Sequence, residues 1–340
     1  MLGTNKAQRI AYFSILVIVA LVTILMLRIF TASPTISASL IATEVDDYAS
    51  SQNGTYVYLS GGKLNIVTSS GTNAVDSPGI SEISISPDGT YLSGVKDGLC
   101  EIYQLPNMEI VDTEPGCLGS LNWLSDSAYA FFEVNLSNSE NNDINDNSTT
   151  TTIAPSDAGQ EEDEAGILTI VDIKNDVRGI VAEVPFTSDL KVSIGNPAKI
   201  AFTSNPADTI SKICSLNIAE QPNLSDCTEV SGYVYGIRQV GANVYVGLSN
   251  GVGAQKIYRL NSGSLEDVGL SVDLKKTINF KNNLAYFNEL DTEKTNVTDV
   301  KGSVVAVLTG KRFHGVDDSL MLSENNYLVL SGNRLWEIRL

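Results

Sequence analysis

The stretch "ISEISISPDGTYLSGV", Ile80 to Val95, alternates apolar and polar residues, turns on Pro87-Asp88-Gly89, and alternates again. Period-two apolarity on both sides of a tight turn reads as two antiparallel strands. Pro presets φ at the entry to such a turn and Gly accepts a left-handed backbone at its exit, so the residue types themselves specify the hairpin.

The same plan recurs along the chain. It appears as "DYASSQNGTYVYLSG" from Asp47, "LGSLNWLSDSAYAFFEV" from Leu118 and "LKVSIGNPAKIAFTS" from Leu190. It returns as "YVYGIRQVGANVYVGLS" from Tyr233, "KTINFKNNLAYFNE" from Lys276 and "DSLMLSENNYLVLSG" from Asp318. The seven turns fall near Gly54, Gly89, Ser127, Ala198, Ala242, Asn283 and Asn326, so the spacings are 35, 38, 71, 44, 41 and 43 residues. The outlier has a visible cause. Asn135 to Gly166 is rich in Asn, Ser and Thr, with eight acidic residues, no basic ones and no aromatics. Such a segment buries too little apolar area to offset its ordering entropy, which predicts a disordered acidic insertion over 136–165. Without it the period is about 40, and four strands per 40–45 residues is the signature of a β-propeller. The expected fold is therefore all-β, a seven-bladed β-propeller, with six or eight blades left open by the spacing.

"ISPDGTYLSGVKDG" from Ile85 and "LNWLSDSAYAFF" from Leu121 resemble the WD40-like "SPDG" repeats of TolB-type propellers. The resemblance covers roughly residues 46 to 340 and is clear in the second and third units. The later units lack the SPDG turn. The resemblance implies the fold and says little about function, because propellers host binding modules and enzymes alike. The last unit ends at Leu340 after three strands, and an open ring would leave a bare edge. Thr35 to Val45, "TISASLIATEV", is β-prone and is expected to supply the missing fourth strand, closing last blade onto first.

Ahead of the propeller, Ile10 to Leu27 is an uncharged apolar run of 18 residues between Arg9 and Arg28. As a helix it would span about 27 Å, close to the hydrocarbon thickness of a bilayer. The expected organisation is a cytoplasmic tail (1–9), a transmembrane signal-anchor helix (10–30), a linker (31–34) and a propeller (35–340). Lys6 and Arg9 precede the anchor, whereas after Arg28 no Lys or Arg occurs until Lys63. The positive-inside rule places the N-terminus in the cytoplasm of a single-pass protein of the cell membrane and the propeller outside. Four cysteines, all beyond the anchor and without a CxxC, fit two local disulfides, Cys100–Cys117 and Cys214–Cys227, each between the third strand of a blade and the region of its fourth.

The chain carries 22 Lys and Arg against 40 Asp and Glu, a net charge of -18, which argues against nucleic acid as a partner. Motif searching finds little chemistry. Gly247-Leu248-Ser249-Asn250-Gly251 matches G-x-S-x-G, but it lies between two strands rather than on a strand-to-helix turn. "GVGAQK" from Gly251 lacks the third glycine of a dinucleotide loop, and Asp143 to Asn147 lacks the glycine and bidentate Glu of a calcium loop. His314, the single histidine, has Asp317 and Asp318 nearby, and Trp123 and Trp336 occupy strand positions. No catalytic residue, metal ligand or cofactor is assigned. Asn-x-Ser/Thr sequons at Asn53, Asn135, Asn147, Asn223 and Asn296 are candidate glycosylation sites. The sequence supports a membrane-anchored, non-enzymatic binding or scaffold module of the cell envelope, with a protein or glycan partner at the top face of the ring. The alternatives are a propeller enzyme, a lyase or glycan hydrolase acting in the central cavity, and a sensor subunit signalling through its anchor.

Overall fold

The computed structural model describes residues 14–23, 35–76, 79–115, 117–134, 165–185, 190–195, 197–205, 207–218, 222–249, 255–289, 294–309, 316–323 and 326–339. Seven antiparallel blades form a closed ring, a seven-bladed β-propeller. The innermost strands of blades 1 to 7 are Val45–Ser50, Ser81–Ile85, Cys117–Trp123, Lys191–Ser193, Tyr233–Val240, Thr277–Phe280 and Asp318–Ser323. The second, third and fourth strands of blades 1 to 6 follow outward in chain order, as do the second and third of blade 7.

Each blade is sandwiched between two others, so its middle strands bury both faces. This explains why the second strand of blade 3, Ala128–Val134 ("AYAFFEV"), reads as a nearly continuous apolar run. Ala128, Ala130 and Phe132 pack towards Ile200, Phe202 and Cys214 of blade 4. The intervening Tyr129 and Phe131 pack towards Cys100 and Ile102 of blade 2. The fourth strands have one solvated face. Asn223–Ser231 and Glu109–Glu114 are accordingly mostly exposed.

Ring closure uses the strand expected for it. Thr35–Thr43 runs antiparallel to Arg334–Arg339, the third strand of blade 7, with Ala38 opposite Ile338 and Thr43 opposite Arg334. One feature goes beyond the expectation. The first residues of the same strand pair in parallel with blade 6, Thr35 with Val307, Ile36 with Leu308 and Ser37 with Thr309. Blades 6 and 7 thereby become one eight-stranded sheet.

Strand alternation fixes two faces. Links between blades and between second and third strands lie on one face, here called upper. Links between first and second and between third and fourth strands lie on the lower face. None of the lower connections exceeds five residues, as in 51–55, 86–90 and 218–222. The strands on either side of the long ones, which span 135–164 and 310–317 in sequence, end and resume at the upper face. The N-terminal strand, as an outermost strand, starts at the lower face.

Both cysteine pairs are bonded, Cys100 to Cys117 and Cys214 to Cys227. They are not equivalent, however. Cys214 and Cys227 join the third and fourth strands of blade 4 across an irregularity in the ladder between Ile213 and Ser215. Cys117 instead opens the innermost strand of blade 3, so its bond to Cys100 ties blade 2 to blade 3. The expectation of matching staples within two blades is corrected on this point. The strand after the "EPGC" turn begins earlier than its apolar pattern suggests.

Of the expected membrane anchor only residues 14–23 are described, as an exposed helix. Among the described residues no helix is long and apolar enough to cross a membrane. The rest of the expected anchor, the linker 31–34 and nearly all of the acidic insertion lie outside the described residues.

Candidate functional site in the central bore

The innermost strands surround a bore with a cavity of about 590 Å³. Its described wall is built largely of polar groups that tie one blade to another. The Asp47 carboxylate accepts from the Tyr48 N–H at 2.8 Å and, across the blade boundary, from the Ile83 N–H at 2.7 Å. The Gln239 N–H donates to Ser193 Oγ at 2.7 Å, joining blade 5 to blade 4. Tyr327 donates its hydroxyl to the Asn279 carbonyl, joining blade 7 to blade 6. Arg238 spans three blades. From blade 5 its Nη1 donates to the Thr277 carbonyl and to Thr277 Oγ1 at 3.2 Å, and its Nη2 donates to the Ser319 carbonyl at 3.0 Å. Ser319 Oγ in turn lies 2.7 Å from the carbonyls of Lys275 and Thr277. These bonds satisfy many of the bore-facing polar groups where the inner strands converge, as buried polar groups require.

Charge in the bore is unusual for so acidic a chain. Lys191, Arg238 and Lys275 line the cavity, against the single carboxylate of Asp318. Arg238 is half-buried on the wall of the cavity. Burial lowers its pKa, and the Asp318 carboxylate works against that. Burial likewise raises the Asp318 pKa, opposed by the Ser319 N–H at 2.7 Å and by Lys275 and Arg238. Asp47 is raised by burial despite its two N–H donors, with Glu82 and Asp318 adding repulsion. Tyr48 lies beside Asp318 but outside hydrogen-bond geometry, and burial and that carboxylate push its pKa far up. Asn279 Oδ1 and Trp123 Nε1 are also buried without a partner. On the upper rim a groove of about 700 Å³ between blades 1 and 2 is lined by Asp46, Asp47 and Glu82.

A second polar cluster lies between blades 2 and 3, away from the bore. Tyr129 Oη sits 2.7 Å from Glu114 and 2.9 Å from Asp112. Arg178 donates to both Glu114 oxygens at 2.9 Å and also to Glu133. Burial works against the Arg178 charge, but the two carboxylates outweigh it and raise its pKa. With Trp123 stacked on Tyr91 and edge-on to Tyr129, this cluster and the Cys100–Cys117 bond lock the two blades together.

The motifs met in the sequence resolve into structure. Trp123 and Trp336 are buried in inter-blade cores. Gly247 is a packing glycine, since a Cβ there would come within 2.5 Å of the Tyr235 ring. That packing explains the first glycine of the apparent nucleophile motif. Asp317 braces a hairpin by accepting from the Gly332 N–H at 2.8 Å. His314, the dinucleotide-like loop from Gly251 and the calcium-like loop lie outside the described residues, as do the sequons Asn135 and Asn147. Asn223 is exposed on an outermost strand and Asn296 is half-buried in a third strand. Asn53 is exposed, but its side chain is committed. Its Oδ1 accepts from Ser51 and Thr55, and its Nδ2 donates to the Asp88 carbonyl. The bore set of Tyr48, Arg238, Lys275 and Asp318 went unnoticed as a group in the sequence, because its members come from four blades. The available signal was a charged residue inside an innermost strand, Arg238 in "YVYGIRQV".

No protein-family model matches the chain, and no curated protein is similar to it at a significant level. Solved structures do match. The Pyrococcus horikoshii acylaminoacyl peptidase is 14% identical with a TM-score of 0.53, over 87% of this chain, which spans only about half of that one (50%). Kluyveromyces lactis Hsv2 is 12% identical with a TM-score of 0.53, covering 86% of this chain and 91% of that one. The Myceliophteria thermophila Cps50 (Swd1) β-propeller domain is 11% identical with a TM-score of 0.51, covering 89% and 99%. At these identities the likeness defines the fold alone, a β-propeller, and nothing narrower.

Proposed function

We propose that the chain is a non-enzymatic binding or scaffold module, held to a membrane by its N-terminal apolar segment and presenting its upper face to a protein partner. The observation that carries this reading is the asymmetry of the ring. Every connection longer than five residues is on the upper face, whereas the strand that follows the apolar segment starts at the lower face. Chain entry on one side and the long connections on the other suit a platform whose working surface points away from its anchor. The inter-blade bonds around the bore support the same role, because they stiffen the ring that carries those connections. The SPDG turn of blade 2 and its Ser-Asp-Ser counterpart in blade 3 agree with a TolB-type propeller, and an extracytoplasmic location fits the two disulfides.

Site-specific photo-crosslinkers on the full chain in cells test the reading. Positions Gly62, Asp97 and Asn333 are upper-face turns, and Gln52, Asn175 and Lys281 are lower-face turns. The expected result is a discrete adduct from upper positions only, in a membrane fraction that resists carbonate extraction. Adducts confined to lower positions, or a chain released by carbonate, would overturn the orientation or the anchoring respectively.

A further inference from the structure

We propose that the central bore is a binding site for a small oxyanion, a carboxylate or phosphate group entering among Tyr48, Arg238 and Lys275. The inference is separate from the partner and anchor reading, since it depends only on the closed ring. Three observations converge on it. First, the cavity is of ligand size at about 590 Å³, and it is walled by seven strands that the inter-blade bonds hold in place. Second, its charge is opposite to that of the chain. Arg238 and Lys275 face it, with Lys191 on the same wall and Asp318 opposing them, in a protein of net charge -18. Arg238, Lys275 and Asp318 form no ion pair with one another among the described salt bridges. Third, the Tyr48 side chain is 7% exposed and its hydroxyl makes no well-formed hydrogen bond, the one acceptor beside it being the Asp318 carboxylate. An unmet buried hydroxyl costs about 1–3 kcal/mol, so it is retained where something else satisfies it.

The donors outnumber the acceptors. Tyr48 offers an O–H, Lys275 an ammonium, and Arg238 a guanidinium that the Thr277 and Ser319 oxygens orient. A planar guanidinium beside an ammonium and a phenol suits the oxygens of a carboxylate or phosphate. Of the other nearby acids, Asp47 has both carboxylate oxygens occupied by the N–H groups of Tyr48 and Ile83, and Asp273, which also acts on Arg238 and Asp318, accepts from the Lys275 N–H at 2.9 Å. A cation would instead meet Lys191, Arg238 and Lys275 on the cavity wall against the one lining carboxylate of Asp318, which disfavours amines as occupants.

Titration calorimetry on the detergent-solubilised full chain tests the proposal with three probes: inorganic phosphate, succinate and spermidine. Binding of phosphate or succinate, at low ionic strength and weakened by salt, is the expected result. The preferred one of the two identifies the source of the oxyanion. Lys275→Glu, at an exposed site, should abolish this binding while leaving the melting temperature close to that of the parent. Tyr48→Phe should weaken binding by about tenfold without loss of stability, because the hydroxyl it removes is unpaired. Arg238→Lys should also lose affinity, but it disturbs three blades and is interpreted only where the melt remains cooperative. Binding of spermidine in preference to the anions, or anion binding unchanged in both Lys275→Glu and Tyr48→Phe, overturns the proposal. Failure here leaves the upper-face crosslinking result untouched.

Discussion

Ile36 tests how far the N-terminal strand is part of the ring. Its backbone is in parallel register with Leu308, and its side chain is buried with Ile278, Phe287 and Leu308 in the core shared by blades 6 and 7. Four positions later, Leu40 pairs with Trp336 on blade 7, but its side chain is 49% exposed. Truncating a buried Ile to Ala removes its transfer energy and leaves a cavity, a cost of about 2–4 kcal/mol. The same truncation at half-exposed Leu40 costs roughly 1 kcal/mol. Near the melting temperature of a ring this long, about 1 kcal/mol corresponds to roughly 2 °C. Ile36→Ala is therefore expected to lower the melting temperature by roughly 4–8 °C and Leu40→Ala by roughly 2 °C, followed by circular dichroism. The double variant with Leu308→Ala should show a coupling of about 0.5–3 kcal/mol, because the two side chains share one core. If Ile36→Ala is no worse than Leu40→Ala, the strand closes blade 7 alone and the bridge to blade 6 is refuted.

Four further expectations follow from the packing. Breaking Cys100–Cys117, whose cysteines are 17 residues apart, should cost about 3 kcal/mol and raise hydrogen exchange at the junction of blades 2 and 3; breaking Cys214–Cys227, 13 apart, should raise it within blade 4 only. Glu114→Ala leaves the Tyr129 hydroxyl and Arg178 short of a buried partner and should cost about 2–4 kcal/mol in urea unfolding, with Glu114→Gln milder; a change under about 0.5 kcal/mol would deny the cluster its locking role. Gly247→Ala should destabilise by about 1–3 kcal/mol, because the new Cβ meets the Tyr235 ring, and Tyr235→Leu in the same chain should restore part of the loss. The pKa of Asp88 is lowered; burial works to raise it, but hydrogen bonds from Thr90 and Ser86 outweigh that. Its folded pKa lies below its unfolded one, so its stabilisation is present above about 3.9 and is lost as pH falls further. Asp88→Asn should therefore flatten the acid limb of the urea midpoint between pH 5 and 3, and an unchanged limb would contradict the role given to the SPDG turn.

What was legible in the sequence follows the physics of each signal. Hairpin turns are local, so Pro87-Asp88-Gly89 and its relatives could be located from residue types alone, and their spacing pointed to seven blades while leaving six or eight open. Closure was legible because a three-stranded last unit leaves an edge that some β-prone segment must cover. The parallel contact of Ile36 with Leu308 was not, because alternation along a strand says which face is apolar but not which neighbour receives it. The cysteine bonds were partly legible. Short separations suggested the pairs, yet whether a bond stays within a blade or crosses to the next depends on where one strand ends, which Cys117 shows to be a matter of a few residues. The bore was the least legible. Tyr48, Arg238, Lys275 and Asp318 each read as one polar residue in or beside an apolar strand, the pattern of a solvated face. Closure of the ring turns that face inward, where the same residues line one cavity. In a propeller the residues that define a central site are separated in sequence by whole blades, so the site becomes visible only once the ring that assembles it is closed.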